Sequence, residues 1–200
     1  GAIVKSFVDV GREVESLQIR FKFLFGSAEE GAIAFDNLTK FASKVPFSLE
    51  EISRASGNLA VVADDANDLN RILKITGNVA AVTGLDFETT ASQIQRAFSG
   101  GIGAADLFRE RGVRALLGFK QGAVVTAEET VERFEELFSG TGQFAKATED
   151  LSTTLTGTLS MLRDSYFNFQ KDVAEGFFTE LKKEFGDLQK FINQNEKQIE

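Results

Sequence analysis

The chain has 200 residues, a net charge of −8, 42% hydrophobic and 26% charged residues, and neither cysteine nor histidine. Cysteine-based nucleophiles, disulfides and thiolate metal sites are therefore excluded, and so are histidine bases and ligands. The acidic balance has no basic cluster set against it, so no phosphate-facing footprint for nucleic acid is visible.

Aromatic content is lopsided: twenty Phe, one Tyr and no Trp. Phenylalanine fills space without needing a hydrogen-bond partner, so these rings read as core and interface material. No apolar run reaches the roughly 18 residues that a membrane-spanning helix needs. The first residues, "GAIVKSFVDVGREVE", lack the charge, apolar core and cleavage site of a signal peptide. The absence of an initiator Met and an end inside a repeating pattern lead us to expect a piece of a longer chain.

In chain order, Ile3, Phe7, Val10, Val14, Leu17, Phe21 and Leu24 alternate spacings of four and three, a heptad seam that Gly26 breaks. This gives an expected N-terminal helical stem over 1–25. A compact helical module is expected over 26–142. Ser27-x-x-Glu30, Ser48-x-x-Glu51 and Thr126-x-x-Glu129 are capping-box patterns, each marking a helix start. Pro46, the only proline, disfavours the helical conformation at Val45 and ends the helix begun near Ser27. Ser48 and Glu51 then cap the next helix, with Phe47 packing back on Ile52 as a hydrophobic staple. Pro46, Phe47, Ser48 and Glu51 are accordingly the expected structural corner.

Leu69, Ile72, Leu73, Thr76, Val79 and Ala80 form one helical face that ends near Gly84. Asp86 caps a helix carrying Phe87, Ile94 and Phe98. "SGGIG", Ser99 to Gly103, reads as a flexible turn, and a short helix through Leu107 and Phe108 ends at Gly112. "GAVVTAEE" is an extended approach to the next helix, with at most one short strand at Val124-Val125. From about Phe144 the spacing predicts one helix of more than about forty residues, long against a usual dozen or so. It passes only isolated glycines, at 157, 176 and 186, where a kink would fall. Its end carries a second seam, Ala174, Phe178, Leu181, Phe185, Leu188, Ile192, Asn195 and Ile199. Over 143–200 the expectation is thus a long helix continuing into a coiled-coil stem. Asn195 is a polar seam residue of the kind that fixes register. Each seam either packs on its own domain or joins helices as a stem. In the second case Phe178, Leu181, Phe185, Leu188, Ile192 and Ile199 are oligomerisation residues, and their bulk favours a homotrimer over a dimer.

No catalytic or cofactor motif assembles. Gly101-Ile-Gly103-Ala-Ala-Asp106 lacks the third glycine of a dinucleotide loop and follows no strand. No phosphate loop and no nucleophile elbow occur. Asp64-Asp65 and Glu128-Glu129 suit helix starts better than a metal site. "DDANDLN" lacks the glycine and the distal glutamate of a calcium loop. The expectation is an all-α structural protein, not an enzyme, with no metal or cofactor.

The ordered set of features resembles the tape measure domain of bacteriophage tail tape measure proteins. The matching stretches are "LFGSAEEGAIAFDNLTKFASKVPFSLEEI", "LNRILKITGNVAAVTGLDFETTASQIQRAFSGGI", "DLFRERGV", "GAVVTAEETVERF" and "TTLTGTLSMLRDSYFNF", covering roughly Phe25 to Phe169. Two corners depart from the family pattern: Val45 replaces the usual Thr before Pro46, and Gly112-Val113-Arg114 lacks a proline. The resemblance implies a virion protein inside the tail tube, in the host cytoplasm during assembly. It would set tail length and leave ahead of DNA at ejection. Its implied partners are the tail tube protein, tail tip or baseplate hub proteins, and tail assembly chaperones. Two other classes of function stay open: a coiled-coil adaptor or scaffold domain with a helical partner-binding head, and an accessory segment of an enzyme, since members of the resembled family can carry cell-wall hydrolase domains elsewhere.

Overall fold

The computed structural model describes residues 2–154 of the chain, and that part is all helical. The elements are α1 (Ala2–Phe25), α2 (Ala28–Ala42), α3 (Leu49–Leu59), α4 (Ala66–Thr83), α5 (Phe87–Gly100), α6 (Asp106–Glu110), α7 (Val113–Leu116), α8 (Ala127–Phe138) and α9 (Ala147–Ser152). Short 3-10 turns lie at Ala60–Val62 and Ile102–Ala104. No strand occurs among the described residues; Val124 and Val125 sit in irregular chain, with Val124 97% exposed.

Local chemistry fixes most helix starts. Ser27, Ser48, Asp65, Asp86 and Thr126 are all extended residues whose side chains accept from amides of the first turn. Each such cap contributes about 1 kcal/mol. At Ser48 and Thr126 the capping box is complete. At Ser27 only half of it forms. Ser27 Oγ accepts from the Glu30 amide, but the Glu30 carboxylate accepts instead from the Ala66 amide at 3.1 Å, joining α2 to the start of α4.

Helix α4 is the hub. It packs against α2, α3, α5, α8 and α9, while α3 lies on α5 and α5 on α8. Its predicted face is buried, and the burial goes further: every residue from Ile75 to Ala80 is inside. A helix covered on several sides needs more than one apolar stripe. Besides the Phe21–Phe25 pair, two groups of phenylalanine rings are in contact. Phe41 and Phe47 both meet Phe87, at 6.0 and 5.1 Å between ring centroids. In the second group Phe134 touches Phe98, Phe108 and Phe138, and Phe138 touches Phe144 at 5.1 Å. Thr130, Phe134 and Phe138 recur every four residues on the buried face of α8.

Three expectations change. The chain divides into two compact units, and one begins at Leu17 and includes everything described after it. The expected boundaries after residues 25 and 142 therefore fall inside that unit. At the first, Leu17 and Phe21 are buried, and the α1 backbone passes so close to α2 that a Cβ on Gly31 would stand 2.8 Å from the Lys22 nitrogen. At the second, α9 packs on α4.

The continuous helix expected from Phe144 is interrupted among the described residues. The Phe144 amide donates to Leu137 O at 2.8 Å, folding the chain back over the end of α8. Helix α9 then stops at Ser152, where the hydroxyls of Ser152, Thr153 and Thr154 each donate to the carbonyl three residues earlier. Such local bonds compete with helix continuation.

"SGGIG" is not a slack turn. Gly101 has φ +78, and a Cβ there would stand 2.3 Å from Val125 O. The glycine lets the chain leading into α8 cross directly above it.

Candidate functional site

The corner residues lie together between α2 and α3. After Ala42 the chain makes one tight turn, with the Lys44 amide donating to Phe41 O at 2.9 Å, and Val45 is buried. Pro46 is half-buried and Phe47 is 9% exposed, its ring against Phe87 of α5. Ser48 and Glu51 are locked reciprocally. The Ser48 amide donates to Glu51 Oε2 at 2.9 Å, its hydroxyl donates to the same oxygen at 2.7 Å, and the Glu51 amide donates to Ser48 Oγ at 3.2 Å. Ile52 is fully buried beneath them. The arrangement directs the start of α3. The seam residues Phe178, Leu181, Phe185, Leu188, Ile192 and Ile199 lie outside the described residues, as do the side chains of Ile3, Phe7, Val10 and Val14.

A second cluster was missed in the sequence. Asn78, in the buried stretch of α4, donates through Nδ2 to Phe138 O at 2.9 Å and to Ala145 O at 3.0 Å. Its Oδ1 accepts from both the amide and the hydroxyl of Thr148, at 2.9 and 2.8 Å. One carboxamide thus joins the end of α8, the following loop and α9 to the hub helix. The preceding residue makes this possible: a Cβ on Gly77 would lie 3.0 Å from Thr148 Oγ1 and 3.2 Å from Phe41 Cζ. The available signal was "TGN", a small-polar run inside an otherwise apolar helix.

Two clefts flank this clasp, and both are lined by Lys74, Asn78 and Ala145. In the smaller, about 330 Å³, Asn67, Asn70 and Arg71 of α4 line one side, with Phe138, Ser139 and Gly140 at the end of α8. The larger, about 490 Å³, has Phe41 and Val45 in its walls, with Lys44, Thr148 and Glu149. Arg71 is committed to its neighbours. It pairs with Asp68 at 2.6 Å and with Glu135 of α8. Among the described residues, no group of three or more acidic side chains is placed to hold a metal ion.

The Asp86 carboxyl, at the start of α5, titrates in a way that bears on the fold. Partial burial pushes it up, but the amides of Thr89, Glu88 and Asp86 itself, with the Thr89 hydroxyl, outweigh that and hold it below the usual range. Its 2.7 Å bond from the Thr89 amide identifies it as the cap of α5. No helix among the described residues is long and apolar enough to cross a membrane. Comparison with protein-family models, with curated proteins and with solved structures finds no match.

Proposed function

We propose that this chain is part of a bacteriophage tail tape measure protein, a structural and non-catalytic virion component. The observation that carries the reading is the ordered run of motifs between Phe25 and Phe169. In support, the motifs coincide with the points that direct the chain. The "GS" before α2, the Val45-Pro46-Phe47 corner, Gly84 with Asp86, and Thr126 are each a helix end or a helix start. In this reading long helices with heptad seams flank the module, and the C-terminal seam assembles three copies. The protein lies in the tail lumen, contacts tube, tip and chaperone proteins during assembly, and precedes DNA at ejection.

Length control has a geometric test. An extended helix contributes about 1.5 Å per residue, so deleting about 28 residues, four heptads, from a helical region of the parent chain outside this module shortens the tail by roughly 42 Å. Deleting the folded module blocks assembly or infection without a proportionate shortening. Electron micrographs of mutant virions measure both. Constant tail length after the heptad deletion removes the ruler and favours the adaptor with a helical binding head.

A further inference from the structure

The segment after α8 is fastened differently from the helices before it. Among the described residues from Ser139 to Thr154, Thr148 alone is buried, whereas α5 buries Phe87, Ile94 and Phe98 and α4 buries a continuous run from Ile75 to Ala80. Hydrophobic burial therefore contributes little to holding this segment. Its hold is largely polar: Ala145 O and both donors of Thr148 meet Asn78, and the Phe144 amide meets Leu137 O. Each such bond is worth little net of the water it replaces. Phe144 adds an apolar contact, but it is itself only half-buried, its ring 5.1 Å from that of Phe138. The segment also begins at a hinge. Helix α8 ends at Ser139, which is extended at φ −131 and ψ 167, and Gly140 follows with φ +56. Ser139 Oγ is buried there without a partner. A desolvated, unpaired hydroxyl raises the energy of the closed form, and unfolding of the turn that starts at Ser139 lets water reach it.

We propose that residues 139–154 form a strap that opens as one unit by local unfolding, while the helices from α2 to α8 stay packed. Regions with few buried apolar contacts open below the global unfolding free energy. The unit is single because its fastenings are shared. One asparagine holds both Ala145 and Thr148, and Phe144 lies between them and the hinge. Helix α9 has only six residues, too few to stay helical once it leaves α4. Opening takes Ala145 out of the walls of both clefts and uncovers the part of the Phe138 ring on which Phe144 lies.

Native-state hydrogen exchange of the isotope-labelled 200-residue chain tests this, over urea concentrations below the unfolding transition. The strap reporters are the amides of Phe144, Thr148 and Asp150, each bonded in the closed form. The hub reporters are the amides of Leu73, Val79 and Ile94, inside α4 and α5. The strap amides should share one protection factor, at least about 30-fold below that of the hub amides. Their urea dependence should be shallower, since less surface is exposed. Two variants fix the order of events. Thr148→Val weakens the closed strap and should lower strap and hub protection alike by about fivefold, because both openings start from the same closed state. Ser48→Ala weakens α3, which stays folded when the strap opens. It should lower hub protection by about fivefold and leave the strap amides within about twofold of the parent. Strap amides protected as well as the hub, strap amides that differ among themselves by more than about tenfold, strap protection unchanged by Thr148→Val, or an equal loss in strap and hub from Ser48→Ala would each overturn the proposal.

Discussion

Asn78 and Thr148 stand seventy residues apart in sequence and share one oxygen: the amide and the hydroxyl of Thr148 both donate to Asn78 Oδ1. The same carboxamide donates twice on its other side, so its hydrogen-bonding capacity is filled inside the protein. Asn78→Ala leaves the Phe138 and Ala145 carbonyls and the Thr148 amide without that partner, and should cost about 3 kcal/mol. Thr148→Val removes only the hydroxyl bond while keeping the shape, and should cost about 1 kcal/mol. Urea unfolding of the two variants checks the ratio. Equal costs would mean that the loop reorganises and the clasp is not a unit.

Phe47 and Ser48 divide the corner between burial and capping. Phe47→Ala removes a ring that is 9% exposed and packed on Phe87, and should cost about 3 kcal/mol. Ser48→Ala removes the cap of α3 and should cost about 1 kcal/mol. Thermal unfolding distinguishes them. An unchanged midpoint for Phe47→Ala would contradict the buried position of the ring.

Gly84 and Gly101 both have positive φ, +68 and +78, but only one is crowded. At Gly84 a Cβ meets nothing within 4 Å, so Gly84→Ala should cost only the left-handed backbone penalty, about 1 kcal/mol. At Gly101 the same atom would stand 2.3 Å from Val125 O, and the backbone between α5 and α8 must move. Gly101→Ala should therefore cost more than about 3 kcal/mol. Parallel denaturant titrations measure the contrast, and similar losses would show that the Val125 crossing is easily displaced.

Asp86 gives stability a pH dependence of known sign. Its folded-state pKa is held low, so the unfolded chain binds the proton more readily. The contribution is fully present above the ordinary carboxylate range and is lost as pH falls through the lowered folded value. Asp86→Asn keeps a cap of similar strength but cannot titrate. The parent should lose stability relative to Asp86→Asn on acidification from about pH 6 to about pH 2. Parallel pH profiles of the two proteins would show that the cap carries no linkage.

What could be read from the sequence follows the range of the interactions. Ser48 with Glu51, Thr126 with Glu129, and Asp86 before Phe87 act within one helical turn, so neighbouring residues disclose them. Glu30 completes a capping pattern in the sequence, yet its carboxylate accepts from Ala66, thirty-six residues on. Gln93 and Thr130 likewise spend their side chains on the distant amides of Leu107 and Ile102. No local pattern contains the partner in these cases. The interruption near Phe144 was hidden for the same reason: apolar spacing there suits a helix, while Leu137 and Asn78 hold the backbone elsewhere. The run "LSTT" was the local warning, since three consecutive hydroxyls compete for carbonyls.

The clasp also sets an order of mechanical failure. Tension entering the described chain at Thr154 reaches α9 before any other element, and α9 is held to the hub through Thr148. The two bonds on Asn78 Oδ1 carry that load first, followed by the Ala145 carbonyl, and the end of α8 comes only after the loop is taut. Pulled from this side, the chain meets one asparagine and the packing of α9 on α4 first, and the next link, Phe144 bonded to Leu137 O and stacked on Phe138, passes the load to the aromatic group of α8.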